Sequence, residues 1–256
     1  MKRLWILGAA DPEMELIEEL LRNRGEMLVY ASVAGRRVHP GNAYKADPVG
    51  IPAGCRPILV ECGGDWDRGL DRVDHHRPGD PGYGRDPEEF WPASSLGQVW
   101  AILGGGEPPR EHLLAAAADH CLAAAYQGRC PGIAPDELMV WRVQTRARFQ
   151  KRDPNEILAS VEQARRALRA APSVELAPGI AVRDLRGELI PELPEAAARE
   201  GLAFLSEVRD PDGAVKVVCQ AGTPDQIQAF LDWARHQGLT GIYGDPARGF
   251  AGAYLP

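Results

Sequence analysis

The chain has 256 residues, 45 % hydrophobic and 25 % charged, which suits a globular protein with room for one large domain or two smaller ones. A formal net charge of -7 argues against long nucleic acid as a partner. The excess sits late in the chain: from Ser173 onward 12 acidic residues face 7 basic ones, so an anionic ligand needs a local basic cluster or a metal ion.

The opening "KRLWILGAADPEMELIEELLRNRGEMLVYASV" has the form of strand, turn, helix, strand. "RLWILG" is a short apolar run, and "DPEMELIEELLRNRG" places Met14, Ile17, Leu20 and Leu21 on one helical face. Asp11 is placed as N-cap, Pro12 as first helical residue and Gly25 as stop. "EMLVYASV" reads as a second strand, "RPILVECGG" as a third and "LDRVDHH" as a fourth. Strands alternating with a helix predict a parallel α/β sheet, with ligands beyond the carboxyl ends of its strands. "SSLGQVWAILGGG" predicts a helix starting at Ser94 or Ser95, and "PREHLLAAAADHCLAAAYQG" a buried alanine-rich one. The helical pattern then persists from Pro135 to Ala170, with "WRVQTRARFQKR" (Trp141, Arg142, Arg146, Arg148) read as a solvated basic face. A boundary is placed at Ala171 and Pro172, dividing the chain into 1–172 and a small α+β unit, 173–256. The latter carries strands near "GIAVRDL" and "AVKVVCQAG", a helix "TPDQIQAFLDWARHQG" and a glycine-rich end.

Five cysteines without a CxxC pair argue against a disulfide framework or a structural zinc site, and point to a reducing cytoplasm. The apolar run near the first residue is too short for a signal segment, and no membrane span is expected.

The residues that carry chemistry follow predicted strands. Asp11 comes after the first, Glu61 ends the third, and Asp74, His75 and His76 end the fourth. In a parallel sheet these ends share one edge. Carboxylates mixed with imidazoles suit manganese, magnesium or zinc, and two such ions close together activate a water and clamp a phosphoryl group. Asp119, paired with His120 inside "AAAADHCLAAA", is costly to bury unless something such as a metal compensates it. Arg36, Arg37 and Lys45 in "AGRRVHPGNAYKAD", with Arg248 and Gly249 in "YGDPARGFAGAY", are candidates for holding phosphate.

"VDHH" at a strand end, then a loop, then "PASSLGQVWAIL" resembles the DHH phosphoesterase superfamily over most of the first 130 residues. The "GDPARGFAGAY" ending resembles, more weakly, the small substrate-binding domain that accompanies that module. The resemblance implies a manganese-dependent hydrolase of phosphoanhydrides or phosphodiesters, a group that includes nanoRNA and linear-dinucleotide phosphodiesterases, single-strand exonucleases and inorganic pyrophosphatases. It implies that His75 and Asp74 bind metal, that His76 faces the scissile phosphate, and that Asp119 is a later metal ligand. Glu61 stands where the family usually has an aspartate. At the first motif the family has a histidine and then two acids spaced one apart. "GAADPEME" keeps that acid spacing in Asp11 and Glu13 but has small residues where the histidine belongs.

The reading that follows is a cytoplasmic hydrolase using a divalent metal, manganese first and magnesium or zinc as alternatives. It acts on a small phosphorylated substrate: a short oligonucleotide, a nucleotide or pyrophosphate. The alternative is a protein of the same fold with an eroded metal site, which binds a nucleotide or a protein partner without hydrolysis. The pattern contains nothing that sets an oligomeric state.

Overall fold

The computed structural model describes residues 2–211 and 213–256. They form two compact units, residues 2–83 with 91–116 and residues 84–90 with 117–256. The division falls inside a helix, where the sequence reading sets its boundary at Ala171 and Pro172.

In the first unit, β1 (Lys2–Leu7) leads through α1 (Pro12–Asn23) to β2 (Met27–Tyr30), and a small antiparallel hairpin follows, β3 (Ser32–Val33) with β4 (Arg36–Arg37). Then come β5 (Cys55–Val60) and β6 (Asp71–Val73), the turn α2 (Phe90–Ala93), α3 (Ser95–Ile102) and the start of α4 (Arg110–Tyr126). The main sheet runs β2-β1-β5-β6 with every pairing parallel, as predicted. Leu4 to Leu7 and Ile58 to Val60 are buried without alternation, the mark of strands covered on both faces. Asp11 caps α1, its Oδ1 accepting from Met14 N at 2.7 Å, and the helix buries Met14, Ile17, Leu20 and Leu21.

The expected alternation with helices holds only between β1 and β2. The crossover from β5 to β6 is a loop, kept in shape by side chains. Trp66 Nε1 donates to Ala46 O at 2.7 Å, and Asp67 Oδ2 accepts from Gly64 N at 3.1 Å and from Arg72 Nη2 at 2.7 Å. The Asp67 bond to Gly64 N satisfies a backbone group that a crossover helix would satisfy internally.

In the second unit the run expected from Pro135 to Ala170 is two helices, α5 (Pro135–Gln150) and α6 (Pro154–Ala170). Lys151 ends α5 in the left-handed conformation at φ +54°, and Pro154 opens α6. After them come β7 (Ser173–Ala177), β8 (Ile180–Asp184), α7 (Leu193–Glu200), β9 (Phe204–Arg209), β10 (Val215–Gln220), α8 (Pro224–His236), β11 (Thr240–Asp245) and β12 (Phe250–Tyr254). Their sheet has the order β11-β12-β10-β9-β8-β7, with β8 and β9 parallel and the other pairs antiparallel. Ile227, Phe230 and Ala234 of α8 pack on Leu205, Val217 and Cys219 of this sheet. The chain is thus α/β, with a parallel sheet in one unit and a mixed sheet in the other.

The basic face expected on α5 is not solvated at two of its arginines. Arg142 has a side chain only 13 % exposed and binds Glu195 through Nε at 2.8 Å and Nη2 at 2.7 Å. Tyr126 donates to the same carboxylate. Arg146 and Gln150 donate to Glu192 at 2.5 and 3.2 Å. Burial opposes the charge of Glu195, but the Arg142 charge and hydrogen bond, with that of Tyr126, outweigh it and hold its pKa below the usual carboxylate range.

A carboxyl depressed on folding contributes stability above its unfolded pKa, roughly 4.3, and loses it as the pH falls through the folded value. Glu195→Gln leaves Arg142 unpaired, with an expected loss on the order of 3 kcal/mol in urea unfolding at neutral pH. The variant should also lack part of the decline in stability that the parent protein shows on acidification.

Candidate metal centre

The register of the parallel sheet assembles the site. Leu7 pairs with Val60 and Val60 with Val73, so the residues that follow them, Gly8, Glu61 and Asp74, emerge at one edge. The ladder extends one step beyond the strands: Gly8 N donates to Val60 O at 2.9 Å and Glu61 N to Val73 O at 3.0 Å.

Glu61 is buried and sits at φ +50°, a left-handed conformation that costs a non-glycine residue roughly 1–3 kcal/mol. Such strain is retained where a side chain must leave the strand pattern. Gly8 makes room for it, since a Cβ there would stand 2.4 Å from Glu61 O. His75 is fully buried, with Nε2 3.5 Å from Glu61 Oε1. The His76 ring meets it edge to face, with centroids 4.5 Å apart.

Asp74 organises both histidines. Its Oδ1 accepts from His75 N at 2.7 Å and His76 N at 3.0 Å, and lies 2.9 Å from His76 Nδ1. Tyr44 Oη donates to the two carboxylate oxygens at 3.1 and 2.9 Å. Burial opposes this charge, yet the His76 hydrogen bond and the His76 and His75 charges hold the Asp74 pKa at about 2. A hydrogen bond on Nδ1 leaves Nε2 of His76 available as a donor, the carboxylate–histidine arrangement that orients metal ligands.

The helix start "ASS" packs tightly against this edge. Ser94 Oγ caps α3 by accepting from Gly97 N at 3.0 Å. The amide of Gln98 donates to Asp74 O and Ala93 O at 3.0 and 2.8 Å. Gly82 N also donates to Asp74 O at 3.0 Å. A Cβ on Gly82 would lie 1.9 Å from Ala93 O and 2.7 Å from His75 Cβ, so only glycine lets this loop cover His75.

One donor atom each from Glu61, His75 and His76 lie within 4.8 Å of one another. Two ligands bound at ~2.1 Å stand at most ~4.2 Å apart, so a divalent ion needs only a small closure of this trio. One carboxylate and two imidazoles suit a divalent transition-metal ion better than calcium, so the donor set fits a divalent metal.

The other expected residues are placed differently. Asp11 is the cap of α1, and buried Glu13 accepts from Leu96 N at 3.1 Å through Oε1. Both first-motif acids thus have structural tasks, and Asp74 Oδ1 holds the two histidines. His76, expected to face phosphate, belongs to the donor trio itself. Arg37 donates to Gly8 O at 3.0 Å and stacks on Tyr30, while Arg36 and Lys45 are exposed. In the second unit, α4 departs from helical geometry at Cys121, correcting the expectation of one regular helix. Arg248 is buried there, donating to His120 O at 2.6 Å and Asp119 O at 3.0 Å, carbonyls that the kink makes available. Its Nη2 is 3.8 Å from Asp119 Oδ2, so Arg248 helps to hold the kink. Gly249, at φ +73°, permits a close backbone approach to Gly222.

Tyr44, Gln98 and Arg77 escaped the sequence reading. Gln98 had a signal, as a polar residue within the apolar "SSLGQVWAIL", and Arg77 directly follows the histidine pair. Tyr44 had none, because only the tertiary fold brings it to Asp74.

No protein-family model matches the chain, and no curated protein is similar to it. A solved structure of a pGpG-specific phosphodiesterase, PggH from Vibrio cholerae, is similar at 12 % identity and a TM-score of 0.39, over 99 % of this chain and 92 % of that one.

Replacing Asp74 by asparagine should weaken manganese binding by about 10–100-fold, since His76 loses its orienting carboxylate. Asp11→Asn, which still caps α1, should leave manganese affinity within about twofold. Titration of the metal-free proteins with manganese measures both.

Proposed function

We propose that the chain is a metal-dependent phosphohydrolase acting on a small phosphodiester or phosphoanhydride. The observation that carries this reading is the strand-end trio of Glu61, His75 and His76, with Asp74 bound to the Nδ1 side of His76. A divalent cation supplies such a site with an acidified water and with neutralising charge for phosphoryl oxygens. Glu61 and the imidazoles of His75 and His76 hold it. Asp74 fixes the His76 ring, and Gly82 with Ala93 closes water away from the back of His75. Asp119 is proposed as a further donor, and residues 173–256 as the part that contacts substrate, both on the strength of the resemblance to the DHH phosphoesterases. Manganese is the preferred ion on the same ground. The net charge of -7 favours a small substrate that the metal holds over an extended polyanion.

One observation favours the second reading, a binding protein without hydrolysis. Asp11 caps a helix, Glu13 accepts from Leu96 N, and Gly8 has no room for an imidazole, so the first motif brings no histidine to a second metal position. The trio is nevertheless complete without it, which supports a single-metal site.

Purified protein should hydrolyse bis-p-nitrophenyl phosphate with added manganese and lose that activity to a chelator. His75→Ala should lose both bound manganese and turnover, and Asp119→Asn should weaken manganese binding. A parent protein that binds manganese yet turns over neither this diester nor pyrophosphate would support the binding-protein reading instead.

A further inference from the structure

Arg77 follows the histidine pair directly, and the fold treats its backbone and its side chain oppositely. The backbone is pinned in a turn: Arg77 N donates to Asp80 Oδ2 at 2.7 Å, and Asp80 N donates to Arg77 O at 3.0 Å. The side chain is exposed and lies over the Tyr44 ring, with Cζ 3.4 Å from the ring centroid. Among the described residues no hydrogen bond or ion pair engages its guanidinium.

Several other arginines of the first unit are engaged. Arg72 is paired with Asp67, Arg56 with Asp71, Arg3 with Glu26 and Arg22 with Glu18. Arg37 also lies on a tyrosine but spends its Nε on Gly8 O. A guanidinium stacked on an aromatic face keeps its N–H donors in the edge plane, already oriented and with little rotamer freedom left to lose. Tyr44 cannot turn away from beneath it, because its hydroxyl is bound to Asp74, the same carboxylate that holds His76. One rigid set of contacts thus runs from the donor trio to an arginine with unspent donors.

We infer that Arg77 is the residue that binds the substrate's phosphoryl group, its forked N–H groups taking two non-bridging oxygens while Tyr44 positions the fork. The inference rests on the proposed phosphohydrolase reading for its substrate class. The geometry requires a ligand with two coplanar anionic oxygens, which a phosphodiester, a phosphoanhydride and free phosphate all present. Lysine would offer a point charge without the fork and without the flat stack.

The test is calorimetric titration of the manganese-loaded protein with inorganic phosphate, alongside diester turnover. Arg77→Ala should raise the phosphate dissociation constant on the order of tenfold or more, the loss typical of a charge-assisted bond. It should leave manganese affinity unchanged, and added guanidinium ion should restore part of the lost affinity. Arg77→Lys should recover less than guanidinium does. Tyr44→Phe, which keeps the ring face, should retain phosphate affinity better than Tyr44→Leu. Phosphate binding by Arg77→Ala within about twofold of the parent overturns the assignment, as does a parent protein that binds no phosphate. If phosphate affinity falls as expected but no diester is hydrolysed, the hydrolase reading fails and the role of Arg77 stands.

Discussion

The first unit depends on the parallel register that sets Leu7 beside Val60 and Val60 beside Val73. A strand advances about 3.3 Å per residue and alternates its faces, so a slip of one position would move a strand-end side chain to the wrong level and the wrong side. Continuous burial of β1 and β5 prevents that slip, because their apolar residues have no solvent face to turn towards. The strained φ of Glu61 is tolerable on the same terms, since the ladder on both sides holds it.

Close packing of backbone on backbone then completes the edge. Gly8 admits Glu61, and Gly82 admits both Ala93 and His75. Gly97 does the same for α3, where a Cβ would lie 1.7 Å from Trp91 O. Asp74 is the electrostatic centre of this arrangement. It is fully buried, and its carboxylate is surrounded by two backbone amides, an imidazole and a phenol. That many donors stabilise the buried anion, which acts on the neighbouring histidines through their orientation.

The acidic excess of the last third of the chain has a different meaning from the one a charge count suggests. Glu192, Glu195 and Glu200 are engaged by arginines of α5 and α6, and Glu192 and Glu195 are buried. These acids join helices to one another and leave the surface less anionic than the composition implies. Arg248 has a comparable internal duty, satisfying the carbonyls that a kinked α4 leaves open.

The four strands of the parallel sheet, the first helix with its Asp11 cap and the serine start of α3 were legible in the sequence, because short-range periodicity and capping chemistry determine them. So were Glu61 and His75 as candidate metal donors, since a parallel sheet necessarily brings its strand ends to one edge, whereas His76 was read as facing phosphate. Tertiary structure alone decided what each acid does there. Asp11, Glu13 and Asp74 are equally good ligands on paper, and only through-space distances show that a helix terminus, the Leu96 amide and the histidines each engage an oxygen of one of them. Tyr44 and Arg77 belong to the same lesson. Their stack joins residues 33 positions apart, and no local pattern encodes a contact that exists only once the sheet has formed.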